Sequence, residues 1–163
     1  MKKMFNIYYV PNFPVNKITN DGRDGWINMP NHPKNKCGFL EAILEHIDNT
    51  NHIDPIRIVI HSEKDIQAGP SGTSRLYALT HIKNYNHIPA IVSSTEYYKW
   101  FGENVVKIEE ANQIKNYLLL EPVVCQIEQD GKAWWHNQNP NKDQMEKTFN
   151  VKKETINRLL NCV

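Results

Sequence analysis

The sequence predicts an α/β fold of the α+β kind, with a mixed sheet, flanking helices and a small C-terminal helical element. Three observations lead there. Short β-branched runs such as Ile56–Ile60 and Ile88–Val92 alternate with apolar stripes at helical spacing. A loop carrying Gly69 and Gly72 runs straight into one of those stripes. Capping and turn signals cut the last third of the chain into short segments. With 163 residues, 40% of them hydrophobic, the chain can bury a core without disulfide or metal staples.

Met4 to Val10 is apolar and aromatic enough for a first strand. Pro11 to Lys36 is rich in Asn, Pro, Gly and Asp and reads as one long loop, a natural lid, with a turn cluster at Asn20–Gly25. Phe39, Ile43, Leu44 and Ile47 make a helical stripe. Ile56, Ile58 and Ile60 mark a mostly buried strand. Leu76, Leu79 and Ile82 continue a helix out of the glycine loop, and Ile88–Val92 is the next strand. Ser93 with Glu96 is a capping box that predicts a short helix over Tyr97–Phe101. Val105–Ile108 reads as a further strand, and Glu109–Leu120 as a helix ended by Pro122. Val123–Gln129 and Lys132–His136 read as a hairpin around Asp130-Gly131. Asn137–Asn141 is a linker, and Asn141 with Gln144 opens a C-terminal helical pair. The predicted division is therefore a domain over 1–136 and a helical pair over 137–163.

The glycine loop carries the chemistry. Glycines let a backbone approach a phosphate closely, and a helix start aims N–H groups at it. Gly69, Ser71, Gly72, Thr73, Ser74 and Arg75 are the candidate phosphate-binding residues, with the Arg75 side chain expected to be exposed in the site. No Gly-Lys-Ser/Thr follows at Walker spacing. Phosphoryl transfer also needs a carboxylate for magnesium or for proton abstraction. Asp21 and Asp24 on the long loop, Glu41 on the first helix, and Glu63 and Asp65 just before the glycine loop are the candidates.

The order of strand Ile56–Ile60, Gly72-Thr73-Ser74-Arg75 turn, Ala-containing helix and Ile88-Pro89-Ala90-Ile91-Val92 strand resembles the nucleotide-binding core of the ParB/sulfiredoxin superfamily. Phe13–Ile18 is similar to that family's opening strand, and Phe39–Ile47 to its first helix. The resemblance covers residues 5–93. It implies ATP or CTP with Mg²⁺, and an ATPase or kinase-like transfer to a small hydroxyl compound or a nucleic-acid base. Glu103-Asn104 is similar to a segment that helps relatives hold metal and nucleotide, with Lys107 in place of the family's Arg. Thr73 stands where sulfiredoxins place their reactive cysteine, which argues against thiol chemistry. The resemblance also admits a homodimer, a non-catalytic DNA module switched by nucleotide, or a nuclease, although no metal cluster favours the last.

Residues 143–160 have the look of a helix-turn-helix whose second helix offers Lys152, Lys153, Thr155, Asn157 and Arg158 outward, toward DNA phosphates and base edges. The formal charge of +1 provides no general attraction to a polyanion, so any such binding must be local. Cys37, Cys125 and Cys162 are too scattered for a disulfide framework or zinc site. No apolar run suits a signal or a membrane span, so the expected setting is cytoplasmic, with no membrane partner.

Overall fold

The computed structural model describes residues 5–22, 39–69, 72–119 and 152–160. Among these the strands form one mixed sheet of five, in the order β3-β2-β4-β1-β5. They are β1 (Asn6–Pro14), β2 (Ile56–Ser62), β3 (Asp65–Ala68), β4 (His87–Ser94) and β5 (Val106–Ile108). β2 and β4 are parallel; the other pairings are antiparallel. The predicted α+β class with flanking helices is the observed one. The chain divides into two units, Met1–Arg23 with Asp54–Leu118, and Asp24–Ile53 with Leu119–Val163. The whole sheet belongs to the first. The predicted boundary at 136/137 and the predicted hairpin at 123–136 lie outside the described residues.

Alternation sorts the sheet into two faces. Tyr8, Val92, Ile58 and Ala68 stand in register, as do Val10, Ala90 and Ile56, and all seven are buried. On the opposite face Ile91 and Ile108 pack with Ile114, Ile7, Tyr9 and Tyr117. β1 runs four residues past the predicted end at Val10. The register shifts between Val10 and Phe13, which pair with Ala90 and Ile88. One extra residue is accommodated there as a bulge, which tolerates Pro11 and returns Phe13 to the buried face. Phe101 then closes that face against Phe13 and Tyr8, at ring distances of 6.4 and 5.7 Å.

The predicted helix over Tyr97–Phe101 is only a single 3₁₀ turn, Lys99–Phe101. The Ser94 hydroxyl accepts the Glu96 N–H and donates to the Glu96 carbonyl, making a local turn in place of a helix start. The predicted helix over Glu109–Leu120 shrinks to a 3₁₀ helix, Ala111–Tyr117. Its start is fixed by a capping box between Glu110 and Gln113 that the sequence reading overlooked. It lays Ile114 on the sheet and stacks Tyr117 on Tyr9 at 4.0 Å.

Helix α1 (Phe39–Thr50) carries the expected stripe, with Ala42, Ile43 and Ile47 buried. It ends where Asn51 takes φ 53° and donates its N–H to the Ile47 carbonyl, a left-handed cap that Asn tolerates. Helix α2 (Thr73–Tyr77) leaves the glycine loop and widens into a π-helical turn, Ala78–Ile82. Helix α3 (Lys153–Leu160) is the C-terminal helical element. The first helix of the predicted pair lies outside the described residues. No helix among those described is long and apolar enough to cross a membrane.

Candidate functional site

Three short segments meet at the start of α2. The first is the glycine loop itself. β3 ends at Ala68, and the Gly69 N–H still reaches the Arg57 carbonyl of β2 at 2.8 Å. Gly69 and Gly72 have φ of 117° and 100°, conformations that a side chain disfavours. Gly72 is the N-cap of α2 and offers no capping side chain. Its carbonyl accepts the first helical bond, from Leu76 at 2.9 Å.

The second segment is a strap, Thr19–Gly22, laid parallel to β3. Asn20 forms a bridge with Gln67, and the Ala68 N–H donates to the Asn20 carbonyl at 2.8 Å. Thr19 clasps Ile66 twice. Its hydroxyl donates to the Ile66 carbonyl and accepts the Ile66 N–H. Asn20 Oδ1 then accepts the Gly22 N–H at 3.0 Å, turning the chain toward α2. Gly22 has φ of 75°, and a Cβ built on it would lie 2.5 Å from Thr73 Cγ2. Up to Gly22 the presumed Pro11–Lys36 loop is therefore strand, then 3₁₀ turn (Val15–Lys17), then sheet-bound strap, and its remainder lies outside the described residues.

The third segment is the buried first turn of α2, where Ser74 and Arg75 are each 4% exposed. The Ser74 hydroxyl has no hydrogen-bond partner among the described residues, a rare state for a buried polar group. Arg75 overturns the expectation of an exposed side chain. Its Nε donates to the Asp54 carbonyl at 3.3 Å and its Nη2 to the Pro55 carbonyl at 3.0 Å. Burial of Leu76 and Leu79 in the same helix draws this side chain inward with them.

Of the three predicted carboxylates described in the first unit, Asp21, Glu63 and Asp65, the structure brings one to this place. Asp21 sits on the strap between Asn20 and Gly22. Glu63 and Asp65 are exposed at the opposite end of β3, because the hairpin pairs Asp65 with Ser62 at its turn and carries Ala68 back beside Ile58. Three strand residues put about 10 Å between them and the loop. Sequence adjacency misled here because the four-residue β3 was not foreseen, although the turn-forming Ser62–Asp65 run and the Ile66/Ala68 alternation signal it. Glu41 is exposed on α1, in the second unit. Asp24 and Ser71 lie outside the described residues. Glu103 and Asn104 occupy an exposed turn before β5, Asn104 with φ of 62°. β5 is the sheet edge opposite β3, so four strand spacings, about 19 Å, separate this pair from the glycine loop. Among the described residues no three His, Cys, Asp or Glu side chains form a metal-holding group.

The predicted DNA-reading helix has a different environment from the one expected. Lys152, Lys153, Asn157 and Arg158 are exposed, but Thr155 is buried. Thr155 donates its hydroxyl to Glu45 Oε2 at 2.7 Å, and the Lys152 N–H donates to Glu45 Oε1 at 2.6 Å. A carboxylate from α1 thus caps α3, where the helix dipole favours an anion. Burial by itself raises the Glu45 pKa. The Thr155 hydroxyl, the Lys152 N–H and the charges of Lys152 and Arg158 outweigh it and hold the carboxyl below its ordinary value.

The chain matches no protein-family model, no curated protein and no solved structure.

Proposed function

We propose that the chain binds the phosphates of a nucleotide at the start of α2 and is a phosphoryl-transfer enzyme of ATPase or kinase-like type. The observation that carries this reading is the convergence of Gly22, Gly69 and Gly72 on one helix turn, each at positive φ. Glycines at such positions leave backbone open to close approach by an anion. The buried Ser74 hydroxyl, which has no hydrogen-bond partner among the described residues, is a further donor for a phosphate oxygen. These features fit a triphosphate such as ATP or CTP. Mg²⁺ bound to a nucleotide takes only one or two protein carboxylates, and Asp21 on the strap is the described candidate. The metal would supply charge neutralisation at the phosphates.

The ParB/sulfiredoxin resemblance supports the same reading through the strand, Gly-x-x-Arg turn, helix and strand order. It leaves the acceptor as a small hydroxyl compound or a nucleic-acid base. The test is incubation of the pure chain with labelled ATP or CTP and Mg²⁺, with and without DNA. Release or transfer of label supports an enzyme. Retention of intact nucleotide supports a binding module. Failure to bind either nucleotide sinks the reading. A DNA module is the second reading, favoured by the exposed Lys152 just before α3 and by Lys153, Asn157 and Arg158 on it.

A further inference from the structure

We propose that Arg75 is a positioning residue, a buried strut that fixes the glycine loop to the entry of β2, and that it does not grip phosphate itself. The guanidinium is planar and forked, and it meets two successive backbone carbonyls, Asp54 and Pro55, immediately before β2 begins. Asp54 and Pro55 are themselves buried, so the strut lies inside the unit. Gly72 is shaped around it. A Cβ at that position would lie 3.0 Å from Arg75 Nη2, 3.3 Å from Ile56 Cδ1 and 3.4 Å from Ile56 Cα. The Gly-x-x-Arg unit therefore acts as one piece. The glycine makes room and the arginine fills it.

The loop is tied at both rims to one short stretch of backbone. Gly69 bonds to Arg57 and Arg75 to Asp54 and Pro55, so residues 54–57 hold the two ends of the loop at a fixed span. Such a span preorganises the backbone N–H groups, while the arginine charge stands behind the loop. Lysine cannot replace it fully, since a single ammonium lacks the fork that meets both carbonyls.

The ligand arm of the test rests on the phosphate reading above; the structural arm does not. Hydrogen exchange of the ligand-free full chain is compared for wild type, Arg75→Lys and Arg75→Ala. A strut predicts faster exchange, by about tenfold or more, at amides 56–58, 69 and 72–76. Residues 106–117 should stay at wild-type rates, and Arg75→Lys should fall between the other two. Unchanged exchange in 56–58 overturns the proposal. If Arg75→Ala does not fold, Arg75→Lys carries the comparison. A double-mutant cycle adds a second check. Gly72→Ala should do less harm in the Arg75→Lys background, where Nη2 is gone, and strict additivity overturns the shared role of the two residues.

In the ligand arm, AMP, ADP and ATP are titrated into wild type and Arg75→Lys. A strut weakens all three by a similar factor. A loss that grows by about tenfold with each added phosphate marks direct contact and overturns the proposal. If wild type binds none of the three and no CTP, the nucleotide reading fails, and the exchange arm alone decides the strut.

Discussion

Replacing Gly22 by alanine tests whether strap and helix start meet as described. The φ of 75° places residue 22 in left-handed space, which costs alanine about 1–2 kcal/mol. The new methyl would lie 2.5 Å from Thr73 Cγ2 and 3.3 Å from the Ala68 carbonyl. Overpacking of that kind adds about 1–3 kcal/mol. The total, about 2–5 kcal/mol, is a large part of the stability of a domain this size. Gly102 supplies the control, having φ of 85° and nothing within 4 Å of a built Cβ. Gly102→Ala should show a backbone cost without a clash, about 1–3 kcal/mol, because its ψ of −155° lies outside the left-handed helical well. Thr73→Ser removes the clashing methyl, so Gly22→Ala in that background should lose most of the overpacking cost. Urea unfolding of the four variants measures all of this. No relief from serine at 73 would refute the contact.

The remaining predictions concern charge. Because the Glu45 pKa is lowered on folding, its contribution is present above the ordinary value of 4.5 and is lost as pH falls through the folded value. The acid arm of a urea-stability profile between about pH 3 and pH 6 should flatten in Glu45→Gln. If Asp21 serves the metal or the proton transfer, Asp21→Asn should slow release of labelled phosphate by about 10²-fold or more, whereas Glu63→Gln and Asp65→Asn stay within about twofold. A large loss at Glu63 or Asp65 would move the site to the other end of β3. If α3 reads DNA, replacing Lys152, Lys153 and Arg158 with alanine should lower the salt slope of filter binding by about three units. Wild type that retains no DNA at low salt removes that role.

The sheet was legible where side chains alternate over several residues. Ile56, Ile58 and Ile60, and Ile88 to Val92, are buried strands because both runs present β-branched residues to a packed face. Tertiary contact decided the rest. Pro11 reads as a strand breaker, yet a bulge carries β1 past it. The glycine loop was visible from composition, but the orientation of Arg75 was not. Whether a helix residue faces in or out depends on which carbonyls the next strand leaves within reach. Thr155 shows the same dependence, since its partner Glu45 lies 110 residues away in the chain. The approach of Gly22 to Thr73 likewise has no local signal, because it follows from the pairing of Thr19 and Asn20 with an edge strand.

That pairing also bears on what the edge of the sheet offers to another strand. β3 is four residues long, and its outer edge offers backbone donors and acceptors of the kind that recruit another strand. Thr19 and Asn20 occupy Ile66 and Ala68 on that edge, so the chain blocks it with its own backbone. A substitution that frees the strap would uncover a short sticky ladder. Self-association at high concentration would then accompany any loosening of the glycine loop, and light scattering would register it.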